Sequence, residues 1–265
     1  MAKSKYEYVK HFEQHQTLLR NTYVVIRVDG HGFHRFSQEH NFEKPNDLRA
    51  LHLANEAAKG VMTDIQDIVL AYGESDEYSF LLRRDSTLFK RREAKIVSTI
   101  ASLFTSYYVV NWFKFMGDST LLRYPPSFDA RAVCYPTAEN VRDYFSWRQA
   151  DCHINNLYNT TFWALVQDPT KNPPMTTTQA QAILKDTTSA SKNEILFKQF
   201  NINYNTLPEI FRKGSVLFRR KMMVPVKETE QGNVIEREKS IVHIAHVDII
   251  ADEFWLTGDG KGILE

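Results

Sequence analysis

Two cysteines, Cys134 and Cys152, are all that this chain of 265 residues carries. So few exclude a disulfide scaffold and leave no cysteine set for a structural zinc site. Absent too is any run of about eighteen apolar residues, so no membrane span is expected. The opening stretch MAKSKYEYVKHFEQH is polar and lacks the apolar core of a secretory signal. A reducing compartment, cytoplasmic or nuclear, is therefore expected. Neither sign of charge dominates: 33 Lys and Arg face 32 Asp and Glu, for a formal net charge of +1, so no global field advertises nucleic acid. Internal repeats and low-complexity tracts are missing as well. What is left, 43% hydrophobic and 25% charged, is the composition of an ordinary globule, with length for one large domain or two small ones.

Charge is nevertheless uneven along the chain. Residues 83–95 hold Arg83, Arg84, Lys90, Arg91, Arg92 and Lys95 against Asp85 and Glu93, and residues 212–221 hold five basic residues and no acid. Local patches of this kind can bind phosphates at a near-zero overall charge.

The stretch NTYVVIRVDGHGFHRF (21–36) organises the rest. Tyr23, Val24, Val25 and Ile26 read as a buried strand that runs into Val28-Asp29-Gly30. A carboxylate at a strand end followed by glycine sets an oxygen ligand beside bare amides, which suits a divalent cation bound together with a phosphate. An Asp-Gly turn closing a strand is the simpler account. A second acidic strand end weighs against it: DIVLAYGESDEYSFLLRR (67–84) reads as two strands whose tip gathers Glu74, Asp76 and Glu77. Like charges repel, so three carboxylates are more than a turn needs.

Taken in order, residues 1–20 read as an amphipathic helix with Tyr6, Val9, Phe12 and Leu19 on one face. Asn46 or Asp47 caps a helix over 48–65, where Leu48, Leu51, Ala54, Ala58, Val61, Met62 and Ile65 recur at helical spacing. Lys90 to Phe115 reads as one long helix, basic at its start; cations there oppose the helix dipole and invite an external anion. FDARAVCYP (128–136) is a further strand. Strand, helix, strand, strand, helix, strand is the split βαβ, ferredoxin-like pattern: an α+β fold with a mostly antiparallel sheet and helices on one face. In it the first and third strands are neighbours, so Asp29 and Asp76 meet at one end of the sheet. A long helix over 138–167 begins at Thr137 and carries an unusual series of polar amides, Asn155, Asn156 and Asn159, beside His153. Two shorter helices and a β-hairpin turning at 228–232 complete the chain. The expected division is a palm-like catalytic domain, 1–136, and a helical and β-hairpin region, 137–265, that contributes RNA binding.

Two aspartates at one sheet end, with glycine-rich amides and cations nearby, describe two-metal phosphoryl or nucleotidyl transfer. The amides of Gly30 to His34 are candidate triphosphate donors, with Lys44, Arg92 and Lys95 to neutralise phosphate charge. At this point RVDGHGFHRFS, EKPND, AYGESDEYSF, FKRREAK, YFSWRQADCHINNLYNTTFWAL and KNEILFKQFNINYN resemble the tRNA-His guanylyltransferase family. The resemblance covers residues 1–220 and is loose beyond them. It implies a polymerase-palm-like domain that adds GMP to the 5′ end of tRNA-His, opposite in direction to ordinary polymerases. It also implies three steps: ATP adenylylates the 5′-monophosphate, the 3′-hydroxyl of GTP displaces AMP, and pyrophosphate is removed.

Carried over residue by residue, the resemblance makes Asp29, Asp76 and the Gly30 carbonyl ligands of Mg²⁺, with two ions expected, and Glu77 a supporting acid. Asp29, Gly30, His31, Gly32, Phe33, His34, Ser75 and Asp76 would bind the triphosphate. Lys44, Arg92, Lys95 and Asn201, with Arg27, form a second phosphate-binding group. Arg27, His153 and Asn159 would serve tRNA binding or handling of the 5′ end. His31 stands where the family usually has arginine, which removes a side-chain contact but not the backbone amides. A homotetramer built as a dimer of dimers, binding tRNA-His, GTP and ATP, is the implied assembly. Two other functions share parts of this pattern. A palm-fold nucleotidyl cyclase needs no RNA surface, whereas residues 137–220 form an amide-rich helical part. A non-catalytic RNA-binding protein would have been free to lose Asp29 and Asp76.

Overall fold

The computed structural model describes residues 4–118, 120–171, 173–228 and 234–265, with backbone alone at 226–228 and 234–235. Six strands form one antiparallel sheet: β1 (Tyr23–Gly30), β2 (Ile68–Glu74), β3 (Glu77–Leu82), β4 (Phe128–Tyr135), β5 (Ser215–Glu228) and β6 (Val234–Ala245), in the order β4-β1-β3-β2-β5-β6. The first four strands take the order the split βαβ pattern demands, with β1 between β4 and β3. Alternation along β1 decides its two faces. Val24, Ile26 and Val28 pack beneath α2 (Leu48–Asp64) and α3 (Glu93–Val110), while Tyr23 and Val25 pack beneath α5 (Ala138–Val166). The palm helices thus lie on one face as expected, and the C-terminal half of the chain covers the other.

Helix α2 starts where Asp47 accepts a hydrogen bond from the Arg49 amide at 3.0 Å. Its small residues Ala54, Ala57 and Ala58 are fully buried and let the helix lie close on the sheet. Gly60 serves the same end toward α3, because a Cβ there would come within 2.6 Å of the Tyr107 ring. Helix α5 begins at Thr137, whose hydroxyl accepts from the Asn140 amide at 3.1 Å, and runs for 29 residues. Strand β5 pairs with β2 from Leu70↔Phe218 to Gly73↔Ser215, so both halves of the chain share one sheet. The boundary near 136–138 therefore stands as a proposal about chain organisation, not as a break in the sheet. Beyond Phe218 the β5–β6 hairpin continues as a two-stranded ribbon; the turn expected at 228–232 falls almost wholly outside the described residues.

Two expectations are corrected. The short amphipathic helix expected in residues 1–20 does not form among the described residues 4–20; a 3-10 stretch spans Glu7–Phe12, and Tyr6, Val9, Phe12 and Leu19 are exposed. A helix of this length draws its stability from packing, and no core lies opposite this face in the chain. Residues 16–18 instead run along the start of α3, with the Leu18 amide donating to the Arg91 carbonyl at 2.9 Å and the Glu93 amide to that of Gln16 at 3.0 Å. Nor is 90–115 one helix. Phe89, Lys90 and Arg91 are left-handed (φ 47°, 56° and 59°), α3 begins at Glu93 and ends at Val110, and a short α4 (Trp112–Met116) follows. Buried Arg91 holds that left-handed turn by donating to the Leu18 and Ser86 carbonyls at 3.3 and 3.1 Å and to the Leu19 carbonyl.

Candidate active site

Register fixes the meeting of the two aspartates. Val28 pairs with Tyr78, so β1 runs out at Asp29-Gly30 where β3 begins. Glu74 pairs with Glu77, which leaves Ser75-Asp76 as a two-residue turn at that same end. Ser75 takes φ 52° and donates its hydroxyl to Asp76 Oδ1 at 2.8 Å, which fixes the carboxylate. The other oxygen lies over Gly30: a Cβ there would sit 2.6 Å from Asp76 Oδ2 and 2.4 Å from the Phe33 ring. Glycine is needed for this closure. Burial pushes the Asp76 carboxyl above its ordinary value; the Ser75 hydroxyl and its own amide oppose this, and Asp29 and Glu77 add to it. Carboxylates gathered against their own repulsion, beside the backbone oxygen of Gly30, fit a hard divalent cation. Among the described residues no group of three or more His, Cys, Asp or Glu side chains forms a metal cage. Phosphate and water would complete such a shell, as is usual for Mg²⁺.

Asp76 opens onto a cleft of about 490 Å³ between the palm and α5. One wall is α1 (Phe33–Glu39), capped by Gly32 at φ 64°, with Phe33, His34 and Ser37 facing the space. The His31 amide is already spent on the Ser127 carbonyl at 2.8 Å, so the donors left for an anion are the first-turn amides of α1. A second wall is the 42–51 segment, where Lys44 Nζ donates to Ser37 Oγ at 3.1 Å. Burial pulls the Lys44 ammonium below the usual lysine value, against the pull of Asp47. Asp47 itself is buried and pairs with Arg49 at 2.7 Å. Burial works against its charge, but Arg49 and the Glu43 and Arg49 amides prevail and hold the carboxyl below its ordinary value. The third wall is α5, through Asn155, Asn156 and Asn159, joined by Phe211 of α8 (Glu209–Lys213). Lys44, Phe33, His34, Ser75, Asp76 and Asn159 are thus brought together.

The family profile described as tRNAHis guanylyltransferase matches residues 6–136, and the profile described as Thg1 C terminal domain matches residues 139–251. The tRNA(His) guanylyltransferase of Neurospora crassa is 51% identical over 96% of this chain and 94% of its own length; that of Schizosaccharomyces pombe is 52% identical over 96% of both. The chain belongs to the tRNA-His guanylyltransferase family. The crystal structure of the Saccharomyces cerevisiae enzyme superimposes with a TM-score of 0.75 at 43% identity, covering 91% of this chain and 96% of that one. A bacterial guanylyltransferase-like protein in complex with ATP shares the fold, with a TM-score of 0.70 at 23% identity over 93% of this chain and 94% of its own. Membership extends the likeness past residue 220, into β6 and the segment after it.

Other family-matched positions lie apart from the cleft. Glu77 faces α5, where Arg148 Nη1 binds both its oxygens at 3.1 and 3.2 Å and Arg27 Nε lies 3.8 Å away. Arg148 also meets Asp151 at 3.1 Å and Glu74 at 3.9 Å, and its guanidinium lies 3.5 Å from the Trp147 ring centre. Burial first, then Glu77, pushes the Glu74 carboxyl up to about 8, with Arg148 pulling the other way. This ionic group ties the hairpin tip to α5. His153 packs edge-on to Tyr204 at 5.4 Å, and burial, with Arg212 beside it, holds the imidazole below its ordinary value. Asn201 is the left-handed cap (φ 53°) of α7 (Ser189–Phe200), a role asparagine takes for steric reasons. Arg92 and Lys95 stand at the start of α3, by the end of the sheet opposite Asp76. Lys95 is about 20 Å along the helix from Tyr108, which lines the cleft.

One structural participant, Arg148, was not singled out from the sequence, and two features that were have a structural explanation. Arg148 sits mid-helix among aromatics, and a buried cation in such a place signals an acidic partner across the fold. Asn156 donates to Asn46 Oδ1 at 2.9 Å and accepts from the Tyr204 hydroxyl at 3.1 Å, which accounts for one amide of the helix. The basic 212–221 stretch is divided: Arg220 and Lys221 are exposed, whereas Arg212 and Arg219 are spent on carbonyls. Arg219 donates to the Ile65 and Ile68 carbonyls at 3.2 and 3.0 Å and to Met62, and Arg212 donates to Leu207 at 2.8 Å.

Proposed function

We propose that the chain adds GMP to the 5′ end of tRNA-His, with GTP and ATP as substrates. The observation that carries this reading is the convergence of Asp29 and Asp76, across Gly30, at the mouth of a cleft lined by Lys44 and the first turn of α1. Family membership supplies the reaction class. Asp29, Asp76 and the Gly30 carbonyl would hold divalent metal, Mg²⁺ in two ions on this reading. When bound, the metal neutralises phosphate charge and polarises the attacking oxygen. Chain groups do the positioning. First-turn amides of α1 and the Lys44 ammonium bind the triphosphate, and Ser75 keeps Asp76 in one rotamer. The 5′-monophosphate oxygen attacks the α-phosphorus of ATP and pyrophosphate leaves. The 3′-hydroxyl of GTP then attacks the adenylylated phosphorus and AMP leaves, and water releases pyrophosphate from the added nucleotide. Asn159, at the cleft wall, and His153, one helical turn and a half away, are the proposed contacts to the tRNA end.

The assembly is part of the proposal. Arg92 and Lys95 are too far from Asp29 and Asp76 to reach the same nucleotide within one subunit. They can do so from a neighbouring copy, and a homotetramer arranged as a dimer of dimers provides one. Incubation with labelled GTP, ATP and either tRNA-His carrying a 5′-monophosphate or no RNA tests the reading. Label transferred to the tRNA only when ATP is present supports it. A cyclic product without RNA would indicate the cyclase, and binding with no transfer the RNA-binding protein.

A further inference from the structure

Lys44 is a cation without a counter-ion. It is half-buried on the 42–51 wall, and among the described residues no carboxylate lies within ion-pair distance of it. Asp47 is the acid that acts on it through space, but that carboxylate is paired with Arg49 at 2.7 Å. Lysines that do meet a carboxylate, such as Lys10, Lys114 and Lys198, meet it at the exposed surface, where water shares the charge. Lys44 keeps one neutral partner: its Nζ donates to Ser37 Oγ at 3.1 Å. An ammonium has three donors, so the other two are left for water or a ligand in the cleft. A single hydroxyl offsets only part of the cost of burying the ion.

Ser37 is turned to serve this ammonium. It lies in α1, and its own hydroxyl proton goes to the His34 carbonyl, one turn back, at 2.9 Å. With that proton committed, only the lone pairs of Oγ face Lys44, and the hydroxyl can do nothing there except accept. Helix formation does not ask for this residue: a serine that bonds back to its own turn is a weaker choice than alanine. Ser37 and Lys44 line the cleft from two different walls. A lysine stem is long and flexible, and an ammonium drawn out into bulk water would leave the cleft. The bond to Ser37 ties it to the opposite wall before any ligand arrives. Preorganisation of this kind adds to affinity, because binding no longer has to order the side chain.

Building on the nucleotide-binding reading above, we propose that Ser37 is a positioning residue: its hydroxyl holds the Lys44 ammonium inside the cleft for a triphosphate. It acts on the nucleotide only through that lysine. The test is a double-mutant cycle of Ser37→Ala and Lys44→Met. It is read as dissociation constants, in Mg²⁺, for GTP and for inorganic tripolyphosphate, which carries the charge without base or sugar. In the otherwise wild-type chain Ser37→Ala should weaken both ligands by about 2- to 10-fold, the range for ordering one long side chain. Lys44→Met should weaken them at least as much, and adding Ser37→Ala to it should change nothing more. Alanine favours the helix, so α1 stays formed, and cooperative melting of every variant verifies the fold. An equal loss from Ser37→Ala in both backgrounds would make Ser37 a direct contact or a general support, and overturns the assignment. A loss for GTP that tripolyphosphate does not share overturns it too, since the effect would then lie at the base or sugar. Weaker binding by Lys44→Met with none by Ser37→Ala overturns this assignment alone. A wild type that binds neither ligand, or a Lys44→Met that binds tripolyphosphate as tightly as wild type, overturns the phosphate reading of Lys44 and this assignment with it.

Discussion

Asp76 is buried, faces Asp29 and Glu77, and has its carboxyl pushed upward, so its charge is held at a cost in the metal-free fold. A carboxyl whose folded value lies above the unfolded one loses stability as pH rises through that window, and at neutral pH the cost is fully present. Asp76→Asn should therefore melt no lower than wild type in EDTA while losing nucleotide addition by several kcal/mol, ~10³-fold or more. Melting curves beside single-turnover assays check both halves; near-normal turnover would remove the metal role. Lys44 predicts a pH effect of its own. Burial holds its ammonium low, and a bound triphosphate would raise it again. Between the two values binding takes up a proton, so GTP affinity should fall as pH rises through that window just below the ordinary lysine value. Calorimetry in buffers of different ionisation enthalpy measures the uptake, and Lys44→Met should abolish it.

At the scale of elements, α5 is fastened to the palm at several points, of which two concern the candidate site. Its Arg148 is 4% exposed and balances Glu74, Glu77 and Asp151. Removing one side of a buried ionic group leaves uncompensated charge, so Arg148→Ala should lower stability by about 3–5 kcal/mol in urea titration. Adding Glu77→Gln to that variant should recover part of the loss; strict additivity would mean that the pair is not coupled. The second fastening is Asn156, which joins the loop at Asn46 to Tyr204. Asn156→Ala leaves the Asn46 side-chain oxygen unmatched and the Tyr204 hydroxyl only its long bond to the His153 carbonyl at 3.4 Å, at a cost of about 1–3 kcal/mol. Because Asn46 lies beside Lys44, the same change should raise the KM for GTP several-fold, with a smaller effect on tRNA affinity. Equal losses in both would make Asn156 a general support only.

For the whole molecule, size sets the problem. A globule of this length has a radius of gyration of roughly 18 Å, well short of the span from the acceptor end to the anticodon of a tRNA. The surface carries what an assembly needs. Val110 and Phe113 are 74% and 51% exposed, and Tyr6, Val9 and Phe12 are exposed as well. Sedimentation at micromolar protein should give a species well above 30.9 kDa. Mixing Asp76→Asn with a double Arg92→Ala, Lys95→Ala variant should restore activity that neither has alone, since hybrid assemblies would contain intact sites. A fully active monomer at high dilution would defeat the proposal.

Local pattern determined a large part of this protein. The β-branched run before Asp29, the apolar spacing over 48–65 and the turn at Gly73–Glu77 required only neighbours in the chain, and their strands and helix formed as read. Topology then followed from element order, and with it the meeting of Asp29 and Asp76. The N-terminal helix failed because its apolar face needed a surface that the chain does not supply. Orientation and distance were decided only in three dimensions. The basic start of α3 looked like an anion site next to the aspartates, yet a helix carries its start about 20 Å from its cleft-facing residues. Arg91 and Arg219 belong to patches read as able to bind phosphates and are spent on carbonyls, because which face of a turn or strand a side chain takes depends on what packs there. Ser37 could be read only as a polar residue after the Gly30–His34 turn. That its hydroxyl takes the Lys44 ammonium depends on how the 42–51 segment lies against α1, which no local pattern records.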